Sequence, residues 1–369
     1  MKPEARTVAA VELLEAIFAS GRPADGVVRE YFKARRYAGA KDRAAIAETV
    51  WTVLRRRRRL EWWTKSAAPA DLVAALVGAP LAAPDMPEAV RCEVPDWLLP
   101  ELREAFGDDL VAEFDALNVP APVDLRVNTS RASRAEVATL LAAEGLDAAP
   151  CPRASAGLRL TSRRPPPDAW RDGLVEPMDE GSQLVALAVG AEPGMAVCDY
   201  CAGAGGKTLA LADAMRGQGR LVACDVSARR LDGLSPRLAR ADVRFVERHV
   251  LGPPPRGAFD RVLCDVPCSG SGVWRRQPDA RLRLRPEHLT ALMETQRQIL
   301  DRAAPLVRPG GRLVYATCSV LPSEDERQVE AFLVRRPDYR QIDALRLSPL
   351  RDGTDGFFAA VLERAILAE

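Results

Sequence analysis

From Gly194 onward, short apolar runs alternate with stretches whose apolar residues return every three or four positions. Parallel strands need a helical crossover between them, so this alternation predicts an α/β fold with a parallel, doubly wound sheet. Strands are expected at Ala196–Tyr200, Leu221–Cys224, Val243–Val246, Phe259–Cys264 and Arg312–Ala316. Helices are expected at Lys207–Met215, Ala228–Ala239, Pro286–Ala304 and Glu324–Arg335, with a closing strand pair near Tyr339–Ile342 and Gly356–Leu362. Ligands of such sheets bind beyond the carboxyl ends of the strands. The residues just after each apolar run are therefore where chemistry is sought.

The richest of these ends is Phe259–Trp274, F-D-R-V-L-C-D-V-P-C-S-G-S-G-V-W. Pro267 removes a backbone donor, and Gly270 and Gly272 permit angles that other residues avoid, so the strand must stop. Asp265 and Cys268 are left together at its carboxyl end. A second thiol, Cys318, follows another apolar run in L-V-Y-A-T-C-S, between the polar Thr317 and Ser319. A buried thiol packing as a small hydrophobe is the plain alternative for either cysteine. An exposed thiolate near positive charge is a nucleophile.

The first turn after a strand reads Asp199-Tyr200-Cys201-Ala202-Gly203-Ala204-Gly205-Gly206-Lys207. Its small residues let the backbone approach a ligand, and the helix that follows offers free N–H groups. It is not a phosphate loop. Gly206-Lys207-Thr208 matches the end of G-x-x-x-x-G-K-[ST], but Cys201 stands where the first glycine belongs. Asp225, 26 residues after Asp199, falls at the next strand end, where an acid can accept both hydroxyls of a ribose. The glycine loop, Asp225 and Asp265 outline a pocket for an adenosyl group, and without dinucleotide glycine spacing S-adenosylmethionine fits best. Cys198 and Cys201 form a C-x-x-C with no second pair, so neither metal nor disulfide is expected there.

The earlier residues differ in kind. Thr7 to about Trp63 reads as helices, with Val8, Val11, Leu14 and Ile17 at helical spacing and Gly21-Arg22-Pro23 as a stop. Arg55–Arg59 is an unbroken basic run flanked by Trp51, Trp62 and Trp63, expected to contact phosphates; the alternative is a solvated helix end. Ser66–Pro100 is rich in alanine and proline. A strand at Val123–Asn128, a helix at Arg134–Glu144 and a strand at Leu158–Leu160 make a small α+β piece. The expected domains are thus 1–95, 96–175 and 176–369. No apolar run approaches the roughly 20 residues of a membrane span, and the N-terminus lacks an apolar signal core, so a cytoplasmic protein without membrane partners is expected. A net charge of +1 puts any nucleic-acid binding in local clusters such as Arg275, Arg276, Arg281, Arg283 and Arg285. Two histidines leave no basis for a histidine-centred metal site, and eight cysteines without framework spacing read as reduced thiols.

D-Y-C-A-G-A-G-G-K-T, D-V-P-C-S-G-S-G and A-T-C-S, in this order, resemble the signatures of RNA cytosine-C5 methyltransferases of the Nop/Sun type. The resemblance is closest to the bacterial RsmB branch, which acts on small-subunit ribosomal RNA, and it covers about Val175 to Leu362. It implies a Rossmann-like class I S-adenosylmethionine-dependent methyltransferase domain, preceded by an all-α NusB-like RNA-binding region and a small α+β RNA-recognition segment; a monomer is expected. It assigns the nucleophile to Cys318 and product release to Cys268. Asp265 would hold the base edge and border the cofactor, and Lys207 would face the site. The cofactor would lie on Cys201, Ala202, Gly203, Ala204, Gly205, Gly206 and Lys207, with Asp225 on its ribose. The sequence departs from the family at Gly203-Ala204, where alanine-proline is usual. It departs again after the third strand, where Glu247 is the nearest acid. A transfer-RNA substrate, a DNA-type enzyme in which Cys268 attacks, and a non-catalytic RNA-binding assembly factor stay open as alternatives. Two cysteines and basic N-terminal helices favour RNA, and intact Asp265, Cys268 and Cys318 favour an enzyme.

Overall fold

A computed structural model of the chain describes residues 1–161 and 168–366, which form two compact units. One comprises Met1–Pro120 together with Val273–His288; the other comprises Ala121–Gly272 and the chain from Leu289 onward. The contacts thus divide the chain elsewhere than at 95 and 175. Side chains beyond the linker-like Ser66–Pro100 region explain why.

In the first unit, helices at Pro3–Ser20, Ala24–Ala34, Ala40–Arg55 and Arg57–Thr64 bury Leu13, Leu14, Ile46, Val50, Val53 and Leu60 in one core. Shorter helical pieces lead to Leu99–Phe106 and Leu110–Leu117. Residues 273–288, drawn from the middle of the α/β sequence, complete this unit. Trp274 is fully buried with its ring 6.3 Å from that of Phe114. The Asp279 carboxylate accepts the Ala24 N–H at 3.2 Å, and Arg281 donates to the Asn118 side chain at 2.8 Å.

The arginine run does not present a free basic face. Arg55 donates to the Arg275 carbonyl at 2.9 Å and Arg56 to the Ala79 carbonyl at 2.8 Å. Arg57 pairs with Glu61 and stacks on Phe18, and Arg58 reaches Asp96 and the Val94 carbonyl. Arg59 is buried, 3.6 Å from Glu93 and 3.0 Å from Asp115, and bonds the Arg91 carbonyl. Glu93 also accepts the backbone N–H groups of Arg58 and Arg59. Arg56, Arg58 and Arg59 thereby tie this helix to the pieces that follow, while Arg55 and Arg57 bind the Arg275 carbonyl, Glu61 and Phe18. Arg59 is buried, whereas Arg55–Arg58 keep part of their surface in solvent beside these partners.

The second unit holds two sheets. Strands β1 (Val123–Val127), β2 (Ala148–Pro150), β3 (Gly157–Leu160) and β4 (Val175–Pro177) form an antiparallel sheet in the order β2-β3-β1-β4. The helix Arg134–Ala143 covers it, started by a capping box in which Ser133 and Glu136 satisfy each other's backbone N–H. Strands β5 (Ala196–Asp199), β6 (Arg220–Asp225), β7 (Val246–Val250), β8 (Phe259–Asp265), β9 (Val307–Thr317), β10 (Tyr339–Leu347) and β11 (Phe357–Arg364) form the large sheet, ordered β10-β11-β9-β8-β5-β6-β7. Strands β9, β8, β5, β6 and β7 run parallel, and β11 and β10 close the other end antiparallel. This is the expected doubly wound α/β sheet with its terminal pair.

Two expected elements shift. The third strand begins at Val246, not Val243, because Val243 closes the preceding helix. Asp242 turns left-handed (φ 55°), its N–H bonds the Ala239 carbonyl, and the Val243 N–H bonds that of Leu238. The helix expected from Glu324 begins at Glu326, since Glu324 and Asp325 are buried turn residues held by the strand ends.

Candidate active site

The order of the large sheet reverses direction between β5 and β8: β6 and β7 lie to one side, β9, β11 and β10 to the other. At such a reversal the connections part and leave a crevice beyond the strand ends. Asp199 ends β5, Asp225 ends β6 and Asp265 ends β8. A cavity of about 720 Å³ lies there, with walls that include Tyr200, Cys201, Asp225, Asp265 and Pro267 and the apolar Val226, Leu251, Pro254 and Ile299.

The glycine loop is folded by its own small residues. The Ala202 N–H bonds the Cys224 carbonyl, the Gly205 N–H bonds the Ala202 carbonyl, and Gly206 opens the helix Gly206–Ala214. Gly205 has φ 85°, and a Cβ there would lie 2.1 Å from Leu234 Cδ1, so only glycine fits. Asp225 anchors this loop: one carboxylate oxygen accepts the Gly203 N–H at 3.0 Å and the other accepts the Ser227 N–H at 2.8 Å. The exposed Ala204 gives its carbonyl to Arg237. Of the loop residues, Cys201 faces the cavity, while Ala202 to Gly206 shape the turn behind it.

Lys207, one residue into that helix, carries its ammonium to within 2.7 Å of Asp265 Oδ2. Burial pulls its pKa down, but the Asp265 charge and hydrogen bond outweigh that and leave it above the ordinary lysine value. Beneath the loop, Asp199 accepts the Thr208 hydroxyl at 2.7 Å. Its other oxygen is buried without a partner, and burial lifts its pKa to about 7.

The two thiols meet. Asp265 pairs with Ala316 across β8 and β9, and both chains then turn over the sheet edge. Cys268 and Cys318 sit with their sulfurs 3.3 Å apart, both half-buried. The hydrogen bond shared with Cys318, and then burial, push the Cys268 pKa well above the ordinary thiol range. The loop is clamped from behind: the Gly272 N–H bonds the Cys318 carbonyl at 3.0 Å, and the Gly272 carbonyl accepts the Gly356 N–H at 2.8 Å. A Cβ on Gly272 would meet the Gly356 oxygen at 2.1 Å.

The sequence did not reveal Glu324. It is fully buried, and its carboxylate accepts the Ser269 N–H at 2.8 Å, the Ser269 hydroxyl, the Ser319 hydroxyl at 2.7 Å and the Gln296 amide at 2.9 Å. In sequence it reads as an acid opening an exposed helix. Glu247, in contrast, does not reach the cavity. It lies on edge strand β7, paired with Arg220 at 2.9 Å, and Leu251 and Pro254 occupy the wall beyond that strand.

A family model described as 16S rRNA methyltransferase RsmB/F matches residues 186–363, and one for the ferredoxin-like domain of RsmF/B-like methyltransferases matches residues 94–165. "Ribosomal RNA small subunit methyltransferase B" of Vibrio cholerae is 34% identical over 297 residues, spanning 75% of this chain and 67% of that protein. The chain belongs to the RsmB/F methyltransferase family. Among solved structures, PH0851 superposes with a TM-score of 0.83 at 24% identity over 99% of both chains. NSun6 from Pyrococcus horikoshii, determined with SFG, superposes with a TM-score of 0.68 at 20% identity over 74% of this chain and 99% of its own. These two show the shared fold. Within this RsmB/F chain, the family motifs are the segments that β5, β8 and β9 bring to one sheet edge.

Proposed function

We propose that this protein methylates cytosine C5 in small-subunit ribosomal RNA, with S-adenosylmethionine as donor and a covalent bond between Cys318 and C6 of the base. The observation that carries the reading is the pair of thiols 3.3 Å apart beside the Asp265–Lys207 ion pair, at the ends of adjacent parallel strands. The name of the Vibrio relative supports ribosomal RNA as the substrate.

The cavity suits the cofactor. Its volume lies within the usual range for ligand sites. Asp225 has acceptor capacity beyond its two N–H bonds for a diol, and Val226, Leu251, Pro254 and Ile299 give a flat base an apolar wall. The Asp265 carboxylate adds negative charge suited to a cationic ligand. SFG, the compound in the NSun6 structure, is an S-adenosylmethionine analogue, which supports the same ligand class.

Cytosine C5 is too weak a nucleophile to take a methyl group unaided. The Cys318 sulfur supplies an electron pair to C6, breaking the C5–C6 double bond and leaving C5 enamine-like. Bound cofactor supplies the electrophilic methyl group that C5 then takes. After C5 gives up its proton to solvent, the S–C6 bond breaks, the double bond re-forms and the electron pair returns to Cys318. On this reading Asp265 holds the base edge, and the 2.7 Å bond from Lys207 supports a fixed orientation of that carboxylate. Cys268 keeps its proton near neutrality, as its raised pKa requires, and serves release of the product. The target base must leave its stack, which costs least in a single-stranded or loop region. Bisulfite sequencing of ribosomal RNA with and without the gene tests the reading. It predicts one or more small-subunit cytosines protected only when the gene is present; identical patterns would refute it.

A further inference from the structure

We propose that Glu324 is a positioning residue that joins the two cysteine loops and biases the shared proton to Cys268, leaving Cys318 as the thiol that carries the charge. The proposal rests on Cys318 as the attacking group and adds what selects it over a neighbour 3.3 Å away.

The geometry is specific. Glu324 bonds Ser269, next to Cys268, through both N–H and hydroxyl, and bonds Ser319, next to Cys318, through its hydroxyl. Gln296 donates to the same carboxylate and, at 3.0 Å, to the carbonyl of Pro267 on the other side of Cys268. Ser271 and Ser319 bond each other at 2.9 Å, and Ser271 accepts the Val320 N–H. A single buried side chain therefore ties both loops.

Its charge is also unevenly placed. Cys268 is faced by Cys318 and Glu324, whose influence together with burial outweighs the Gly270 N–H that bonds its sulfur, and the Tyr315 hydroxyl lies near enough for its own ionisation to feel Cys268. Cys318 is faced by Cys268 and by the ammonium of Lys207, which is itself held by Asp265. Glu324 takes two bonds from the neighbour of Cys268 and one from the neighbour of Cys318, and the Lys207 ammonium is felt on the Cys318 side, so the pair is polarised in one direction. A thiolate at Cys268 would stand against Glu324, whereas a thiolate at Cys318 stands near Lys207. The Cys268 S–H then donates to the Cys318 sulfur.

Alkylation of the full-length, RNA-free protein by iodoacetamide near pH 7, mapped by peptide mass spectrometry, reads this bias directly. Since the thiolate is the reactive form and one pKa unit is tenfold in its ratio, Cys318 should react about tenfold or more faster than Cys268. Glu324→Gln, which keeps the shape and removes the charge, should bring the two rates to within about threefold. Ser269→Ala, which removes a donor and keeps the charge, should retain the preference, as should Glu324→Asp in the main. A preference unchanged in Glu324→Gln overturns the proposal. So does its equal loss in Glu324→Gln and Ser269→Ala, which would reduce Glu324 to packing. If Glu324→Gln does not fold, Lys207→Met tests the opposite pole: the preference should fall there, and its persistence counts against polarisation. Loss of RNA adduct formation in Cys318→Ala is decided separately, so failure of the underlying reading is distinguishable.

Discussion

Replacing Asp225 by alanine should weaken cofactor binding about 100-fold. The carboxylate is only 4% exposed, so bulk solvent screens it little. It already fixes the glycine loop through the Gly203 and Ser227 N–H groups, and on the proposed reading it also accepts two ribose hydroxyls. Hydrogen bonds to a charged group contribute roughly 1.5–3 kcal/mol each, giving about 3–6 kcal/mol for the pair. Water entering the open cavity offsets part of this and leaves about 3 kcal/mol, or roughly two powers of ten in Kd. Asp225→Asn keeps one acceptor and should fall between the two, at about tenfold. Titration calorimetry with S-adenosylhomocysteine measures both, with circular dichroism to establish that each variant is folded. An unchanged Kd in folded Asp225→Ala would refute the placement of the ribose, and with it the use of the apolar wall for adenine.

Above about pH 7, where Glu93 is ionised, Arg59→Gln should destabilise the helical unit by about 3–5 kcal/mol, the usual effect of removing one partner from a buried ion pair, because Glu93 beside it is 1% exposed; a thermal melt there unchanged from wild type would contradict the cross-linking role. Glu93 has its pKa raised to about 7, mainly by burial. The folded state therefore holds a proton that the unfolded state has released between about pH 4.5 and 7, so this residue's contribution to stability is full below that window and is lost as pH rises through it. Glu93→Gln should remove that part of the fall in melting temperature; identical pH profiles of mutant and wild type would contradict it.

The α/β half of the fold was legible because parallel strands buried on both faces are continuous apolar runs, and their ends are marked by Asp265-Val266-Pro267 and Thr317-Cys318. What failed has physical causes. Val243 looks like a strand residue, but the left-handed Asp242 spends it on a helix exit. Residues 273–288 follow the cysteine loop directly, and nothing in their spacing reports that Trp274 and Arg281 fill a core built by helices far earlier in the chain. Five arginines in a row read as surface charge because their partners are backbone carbonyls and scattered acids that only the fold brings near. Glu324 was hidden for a related reason. A buried carboxylate has no sequence periodicity, and the serines that hold it belong to two distant motifs.

The most direct test of the mechanism is a denaturing gel of the two cysteine variants after incubation with cofactor and substrate RNA. If Cys318 attacks C6 and Cys268 serves release, Cys268→Ala still forms the bond but leaves slowly, and a protein–RNA complex that survives denaturation accumulates. Cys318→Ala then forms no such complex and transfers no methyl group. The thiols are 3.3 Å apart, so either could reach the base, and position alone does not separate them. A stable complex in Cys318→Ala, with none in Cys268→Ala, would contradict the assignment and make Cys268 the nucleophile.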